Sequence, residues 1–358
     1  MGKGNAATSQ EKFNTLAQSG TADFDTHSLS SGKLVYGAGA DLSDKAAWKG
    51  KAKRKIVTQK IILSLIEAAE KKGATDRVKA YRNTLYCLDK FYSSDGRVYG
   101  KYCKNRFCTL CCSIRKAEII NRYYPVIMSW EEPHFITLTQ KSVPAAKLDL
   151  WFYGVNKAFR QITDKYKKRD QRGKGLKLVG IKSMECNFNP VARTYNPHQH
   201  LLAPNAEIAK TLVVEWQKKW NQGKKKLASP WAQHIRRVEN IERDLVELIK
   251  YGSKIFTEPD MNKNPKNKTP RMVYAAALDN IFSAMKPYRL FDRFGFNLPP
   301  QPKHGVQLPT FLERYDEWVF EPSLSDWHNL ETGELLTGYI PPPQLQWILA
   351  QSIDTDLQ

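Results

Sequence analysis

Between residues 133 and 254 the apolar pattern switches repeatedly between a period of two and a helical period, and this order constrains the fold more than any other feature. His134–Gln140, HFITLTQ, alternates β-branched and aromatic residues and reads as a strand. Residues 145–168 read as a helix, and Leu176–Phe188 as a strand. A loop with Asn189-Pro190 then leads to a second strand around 196–203. Helix returns at 205–222, a short strand HIRRV covers 234–238, and a helix follows at about 243–254. Strand, helix, strand, strand, helix, strand, helix is the order of an α+β domain, in which helices pack on one face of an antiparallel sheet.

Upstream of this domain the pattern is helical. Ile61, Ile62, Leu65, Ile66 and Ala69 recur at helical spacing between Thr58 and Lys72. A second helix is expected over 76–92, and a third from Ser113 to Met128, ended by Glu131-Glu132-Pro133. Residues 1–55 are rich in Gly, Ser, Ala and Lys with little periodicity. They read as a disordered basic tail ending in KGKAKRK (49–55). DMNKNPKNKTPR (260–271) is a polar loop, and a last helix is expected over 272–286. The Pro-rich, acidic tail from about 322 is expected to be poorly ordered. The reading divides the chain into the tail (1–55), a helical cysteine-bearing region (56–130), the α+β domain (131–300) and a partly disordered C-terminal extension (301–358).

Charge narrows the partner. Lysine and arginine number 56 against 36 acids, a formal net charge of +20, and a field of that sign draws in polyanions. Nucleic acid is the first candidate; a ribosome-associated or membrane-surface protein is the bland alternative. No stretch has the apolar length of a membrane span, and the N-terminal residues lack the apolar core of a secretory signal. A cytoplasmic protein without a membrane partner is the expectation.

The segment Tyr195-Asn196-Pro197-His198-Gln199-His200-Leu201-Leu202 carries the first chemical signal. Residues two apart on a strand share a face, so His198 and His200 point the same way and can ligate one divalent ion. In KSMECNF on the preceding strand, Glu185 completes the set if the two strands pair around the 189–195 loop. Two imidazoles and a carboxylate suit Mn²⁺ or Mg²⁺ acting on phosphate, and zinc also fits. The bland reading is a pair of surface histidines and a solvent-facing glutamate.

A second signal lies in Glu247-Leu248-Ile249-Lys250-Tyr251-Gly252-Ser253-Lys254. At about 100° per residue, Glu247, Tyr251 and Lys254 share one helix face. A phenol is a weak nucleophile at its ordinary pKa of about 10. A neighbouring cation such as Lys254 favours the phenolate, which makes phosphoryl transfer to Tyr251 chemically reasonable. The alternative is a charged surface helix with a half-buried tyrosine.

Six cysteines are present, and four crowd into ten residues. In a reducing compartment such a cluster reads as a metal site before disulfides. Cys103-x4-Cys108-x2-Cys111 supplies three thiolates at zinc-binding spacing. Cys87 or Cys112 can be the fourth ligand. Cys112 adjoins Cys111, which makes joint ligation awkward and favours Cys87. Such a knuckle would present Lys104, Arg106, Arg115 and Lys116 to DNA; the alternative is a set of buried thiols at a helix start. Cys186, Trp216 and Trp220 read as core residues, and the basic runs at 167–175 and 224–226 as loop charges.

Taken in order, Phe135-Ile136-Thr137-Leu138-Thr139, the His198/His200 pair and the Tyr251/Lys254 helix resemble the three motifs of HUH-type endonucleases. More closely they resemble the single-tyrosine rolling-circle replication initiators of plasmids. The cysteine cluster with Arg115-Lys116 is similar to that family's N-terminal cysteine motif, and residues 277–295 to its closing segment. The resemblance spans roughly 85–295. Gln199 departs from the hydrophobe expected between the histidines, which bears on packing because its side chain faces away from the pair.

The resemblance implies a ferredoxin- or RRM-like sheet and a Mg²⁺ or Mn²⁺ ion at His198, His200 and Glu185. It implies attack by Tyr251 on single-stranded or extruded origin DNA, giving a 5′-phosphotyrosine and a free 3′-OH. Lys254 would stabilise charge, and Glu247 would activate the water that ends the cycle. The sequence contains no GxxxxGK[ST] loop, so a host helicase and a DNA polymerase are the implied partners. An HUH-type transposase is the nearest alternative, and a non-catalytic zinc-knuckle nucleic-acid binder the alternative outside enzymes.

Overall fold

The computed structural model describes residues 42–94, 96–223, 226–249, 271–299 and 315–343. The described residues fall into two compact units, one from within 1–118 and 301–358 and one from within 119–300. Both are built from helices and antiparallel sheets, so the protein is of the α+β class.

The first unit starts with α1 (Lys45–Glu70), which begins inside the segment expected to be a disordered tail. The signal was sparse but real. The Asp44 side chain accepts from the Ala47 amide at 2.9 Å as an N-cap. Trp48, Ala52 and Ile56 then bury one narrow stripe between lysines. The basic run is part of this helix. Lys55 is buried and donates to the Cys87 carbonyl at 2.9 Å while pairing with Asp89 at 3.1 Å.

The next helix, α2 (Thr75–Leu85), is shorter than expected. Leu88 takes a left-handed conformation (φ 51°), and the chain turns there into a hairpin of β1 (Lys90–Ser94) and β2 (Arg97–Gly100). Then comes α3 (Thr109–Met128), within which the division between units falls.

The C-terminal segment corrects a second expectation of disorder. It supplies β9 (Asp316–Glu321) and β10 (Asp326–Asn329), which join the hairpin in a sheet of order β10-β9-β1-β2. Burial of Trp318, Phe320 and Trp327 against Trp48 and Phe91 outweighs the acidic, Pro-rich composition around them. Both indoles are also satisfied: Trp318 Nε1 donates to Ser93 Oγ at 2.9 Å and Trp327 Nε1 to the Leu88 carbonyl at 2.8 Å. The Asp326 carboxylate, fully buried, accepts from the amides of Trp327, Thr337 and Gly338.

The second unit holds the larger sheet. Its elements are β3 (His134–Leu138), the short β4 (Val143–Pro144), α4 (Leu148–Asp170), β5 (Gly180–Asn189) and β6 (Thr194–Ala203). These are followed by α5 (Ala206–Trp220), β7 (His234–Arg237), α6 (Ile241–Leu248), α7 (Arg271–Met285) and β8 (Phe291–Phe294). The strands run antiparallel in the order β7-β3-β6-β5-β8, with β4 beside β6.

One face carries the core. Ile136 and Leu138 of β3, Met184 of β5 and Tyr195 and Leu201 of β6 pack on the apolar stripes of α4, α5 and α7. The stripe of α4 is Phe152, Val155, Phe159 and Ile162, at helical spacing. Trp216 belongs to this core and Trp220 packs against it, as expected of core residues. At the end of β8, Gly295 sits at φ +77°, and a Cβ there would lie 1.9 Å from the Leu178 carbonyl oxygen, so only glycine fits.

Gln199 projects into this core, opposite Leu138 and Met184. It is fully buried, and among the described residues neither its oxygen nor its nitrogen has a hydrogen-bond partner. A buried amide without partners costs about 1–3 kcal/mol. Gln199→Leu, of similar volume and apolar, is therefore expected to raise the melting temperature of this unit by roughly 2–10 °C. Calorimetry checks this; a lower melting temperature would mean that the amide is held by ordered water.

Candidate metal centre and its surroundings

Register places three ligand side chains side by side on the other face of the sheet. Glu185 of β5 lies directly opposite His198 of β6, and His200 lies opposite Ser183 on one side and Thr137 of β3 on the other. Cross-strand partners and residues two apart share a face, so all three side chains meet. Glu185 Oε2 lies 3.5 Å from Nε2 of His198 and 3.5 Å from Nε2 of His200. All three residues are buried.

The other ring nitrogens fix the orientation. His198 Nδ1 lies 3.0 Å from the Asn196 carbonyl oxygen. A carbonyl only accepts, so Nδ1 carries the hydrogen and the lone pair of the neutral ring is on Nε2. His200 Nδ1 lies 3.1 Å from the Thr137 hydroxyl, which can accept from it and so leave the Nε2 lone pair free for a cation. Burial pulls the Glu185 carboxyl up, but hydrogen bonds from the His198 and His200 rings, which a bound cation would replace, hold it well below the usual carboxylate range. Two Nε2 lone pairs and a carboxylate oxygen, all within 4.8 Å of one another, are the donor set of one divalent cation. Ligands about 2.1 Å from a common ion stand roughly 3–3.5 Å apart, the spacing seen here.

The helix that precedes the expected tyrosine is anchored beside this face. Asn240 caps α6 by accepting from the Arg243 amide at 2.8 Å. Asp244, buried, forms a two-bond fork with Arg236 of β7 at 2.7 and 2.6 Å. The Arg236 guanidinium covers the Phe135 ring at 4.8 Å, and that ring lies 5.4 Å from the His200 ring. Glu247 is half-buried on α6 and, behind Asp244, adds to the negative field that raises the Arg236 pKa. Tyr251 and Lys254 lie outside the described residues. The sequence reading gave no role to Arg236, Asp244 or the ring-orienting Thr137 and Asn196. Thr137 stood inside a recognised motif, yet the strand pattern alone did not say which imidazole it met.

In the first unit the four cysteines read as a ligand set also come together. Cys87 Sγ lies 3.5 Å from Cys111 and 3.6 Å from Cys108, and Cys103 Sγ lies 3.7 Å from Cys111. Four sulfurs at 2.3 Å from a zinc ion stand about 3.8 Å apart, so the set fits a tetrahedral site. The Cys103 amide points at Cys87 Sγ and the Cys111 amide at Cys108 Sγ, bonds that favour thiolates. Lys104 takes the left-handed conformation (φ 54°) needed for this tight turn. Cys112 is turned away, with its thiol on the Arg106 carbonyl at 3.0 Å.

Without a cation the four thiols cannot all ionise. Cys103, bonded by its three neighbours, is held far down, while hydrogen bonding to that thiolate pushes Cys87 and Cys111 up. Lys104, Arg106, Arg115 and Lys116 are half-buried, and Arg115 donates to the Lys104 carbonyl at 3.0 Å.

An antiparallel sheet bearing two histidines and a glutamate, with a four-thiol cluster elsewhere in the chain, defines a protein with two candidate metal centres. A sequence profile of the family described as "Replication protein" matches residues 97–278, about half of the chain. The chain belongs to this replication protein family, that of the plasmid Rep initiators. It is 28% identical over 234 residues to the "Protein rep" of Streptococcus pneumoniae serotype 2 (strain D39), covering 58% of this chain and 67% of that one. It is 30% identical over 183 residues to the "Protein rep" of Staphylococcus aureus, covering 47% of this chain and 76% of that one. No solved structure matches it. Among the described residues no helix is long and apolar enough to cross a membrane.

Proposed function

We propose that this replication initiator is an HUH-type, single-tyrosine enzyme that starts rolling-circle replication by nicking one strand of its origin. The observation that carries the reading is the buried Glu185–His198–His200 set, with both Nε2 atoms turned to one carboxylate oxygen and α6 tied to the same face of the sheet. A Mg²⁺ or Mn²⁺ ion bound there would polarise the scissile phosphate.

The chain's own groups do the rest. The Tyr251 phenolate attacks phosphorus; an Oη–P bond forms, the P–O3′ bond breaks, and the departing 3′ oxygen takes a proton to become the primer hydroxyl. Lys254 favours the phenolate and balances charge as the bond forms. At the end of the cycle Glu247 takes a proton from the water that hydrolyses the last phosphotyrosine. Cys87, Cys103, Cys108 and Cys111 would hold a structural Zn²⁺, which would stiffen the turn that carries Lys104 and Arg106 toward DNA, with Arg115 and Lys116 following. Unwinding and synthesis fall to a host helicase and a DNA polymerase.

The test is a covalent-adduct assay. The full chain is incubated with Mn²⁺ and single-stranded oligonucleotides tiling its replicon, then run on a denaturing gel. A shifted band that disappears in Tyr251→Phe and in chelator is the expected result, and Glu247→Ala should accumulate that band. Cleavage that survives Tyr251→Phe would make water the nucleophile and remove this reading.

A further inference from the structure

The turn before β7 presents an indole to solvent. Trp231 is 91% exposed, in a helical turn over Pro230–Ala232. A single exposed aliphatic residue needs no explanation. Trp231 differs because its turn is held rigidly and is tied to the strand beside the metal centre. Gln233, buried, donates to the carbonyls of Thr139 and Ser229 at 3.0 and 2.9 Å and accepts from the Thr139 amide at 3.0 Å. The Thr139 hydroxyl bonds Asn196 at 3.0 Å, and the Asn196 carbonyl orients His198. The indole is thus carried on a fixed arm that starts at a ligand.

Basic groups outnumber acids here, with Arg236 held by Asp244 and Arg237 3.8 Å from Glu132. From Lys226 to Arg237 the sequence contains Lys226, His234, Arg236 and Arg237 and no acid. All four residues of β7 are exposed, and among the described residues the strand pairs only with β3, as the edge of the sheet. His234 lies opposite Thr137, whose other neighbour is His200. The edge is therefore two strands from the ligand, about 10 Å. A flat, rigid aromatic beside cations is how proteins hold single-stranded nucleic acid: each base offers a π-face, and the backbone lies along the positive charge. A duplex offers no such face in mid-helix.

We propose that Trp231 is a stacking platform for an unpaired base of the DNA strand that enters the metal centre, with the β7 edge guiding the backbone. The choice of DNA as occupant rests on the nicking reading above. The stacking itself is tested apart from it, by fluorescence anisotropy with labelled oligo(dT) and with a labelled duplex of equal length, in chelator, on the full chain. Trp231→Ala is expected to weaken oligo(dT) binding roughly 5- to 100-fold. It should leave duplex affinity and the dependence of binding on salt unchanged, and Trp231→Phe should keep most of the wild-type affinity. Equal losses on single strand and duplex, or no loss on oligo(dT), would overturn the proposal, as would a wild-type chain that does not bind oligo(dT). The adduct assay run in parallel separates the two readings. An adduct with unaltered oligo(dT) binding in Trp231→Ala sinks the platform alone; a missing adduct with the expected binding loss sinks the nicking alone.

Discussion

Replacing Cys111 with serine is expected to abolish zinc binding at the proposed cysteine site and unfold the first unit. Cys111 Sγ is within 3.5–3.7 Å of two of the other three sulfurs, so its loss opens the tetrahedron rather than one corner of a loose cluster. A bound dication and the fold would be linked because, without a cation, hydrogen bonding to the Cys103 thiolate pushes Cys87 and Cys111 toward their protonated forms. Zinc binding of this kind contributes on the order of 10 kcal/mol to small metal-held folds. The cluster also sits in the core that contains Trp48, Trp318 and Trp327, so unfolding has an optical signature. Elemental analysis should give one zinc per wild-type chain and none in Cys111→Ser, whose tryptophan emission should shift to the red at temperatures where the wild type is folded. Cys112→Ser is the control: its thiol bonds a backbone carbonyl outside the cluster, and it should keep the metal. A zinc-free wild type, or a Cys111→Ser chain with unchanged emission, would leave the cluster as buried thiols.

What the sequence disclosed and what it hid follow from the range of the interactions. His198, His200 and Glu185 were legible because a strand's period of two puts side chains on faces, and one hairpin brings the carboxylate opposite its histidine. Cys103, Cys108 and Cys111 were legible for the same reason, being local in the chain. The four-stranded sheet was not. Its strands β1 and β9 pair Phe91 with Trp318, across more than half of the chain, and no local pattern announces a partner at that distance. The C-terminal segment was therefore judged by composition, and its prolines and acids hid three aromatic anchors. The Arg236–Asp244 fork was hidden differently. Neither residue carried a sequence signal of its own, and only the tertiary fold buries Asp244 and makes its pairing necessary.

Glu185→Gln is expected to abolish both the proposed response to divalent metal and the proposed nicking, while leaving the metal-free protein folded. Glutamine keeps the shape of the side chain and can still bond an imidazole, so the hairpin of β5 and β6 should persist. What it removes is the one negative charge of the ligand set, the part of the site that balances a dication in a buried place. A ligand that binds only the native state stabilises it in proportion to the logarithm of its concentration over Kd, about 4 kcal/mol at a thousand times Kd. The wild type should accordingly melt several degrees higher in excess Mn²⁺ than in chelator, and Glu185→Gln should melt at the same temperature in both. Polarisation of the phosphate is worth several kcal/mol of barrier, so the rate of adduct formation should fall by about a thousand-fold. Thr137→Val, which removes only the hydroxyl that orients His200, should weaken metal affinity by about 10- to 100-fold and leave some activity. This graded order, ligand above orienting residue, distinguishes a metal centre from a hydrogen-bonded buried cluster. In such a cluster, loss of Glu185 would strand two imidazoles and lower stability with or without Mn²⁺. A Glu185→Gln chain that keeps its Mn²⁺ shift and its nicking would place the catalytic metal elsewhere.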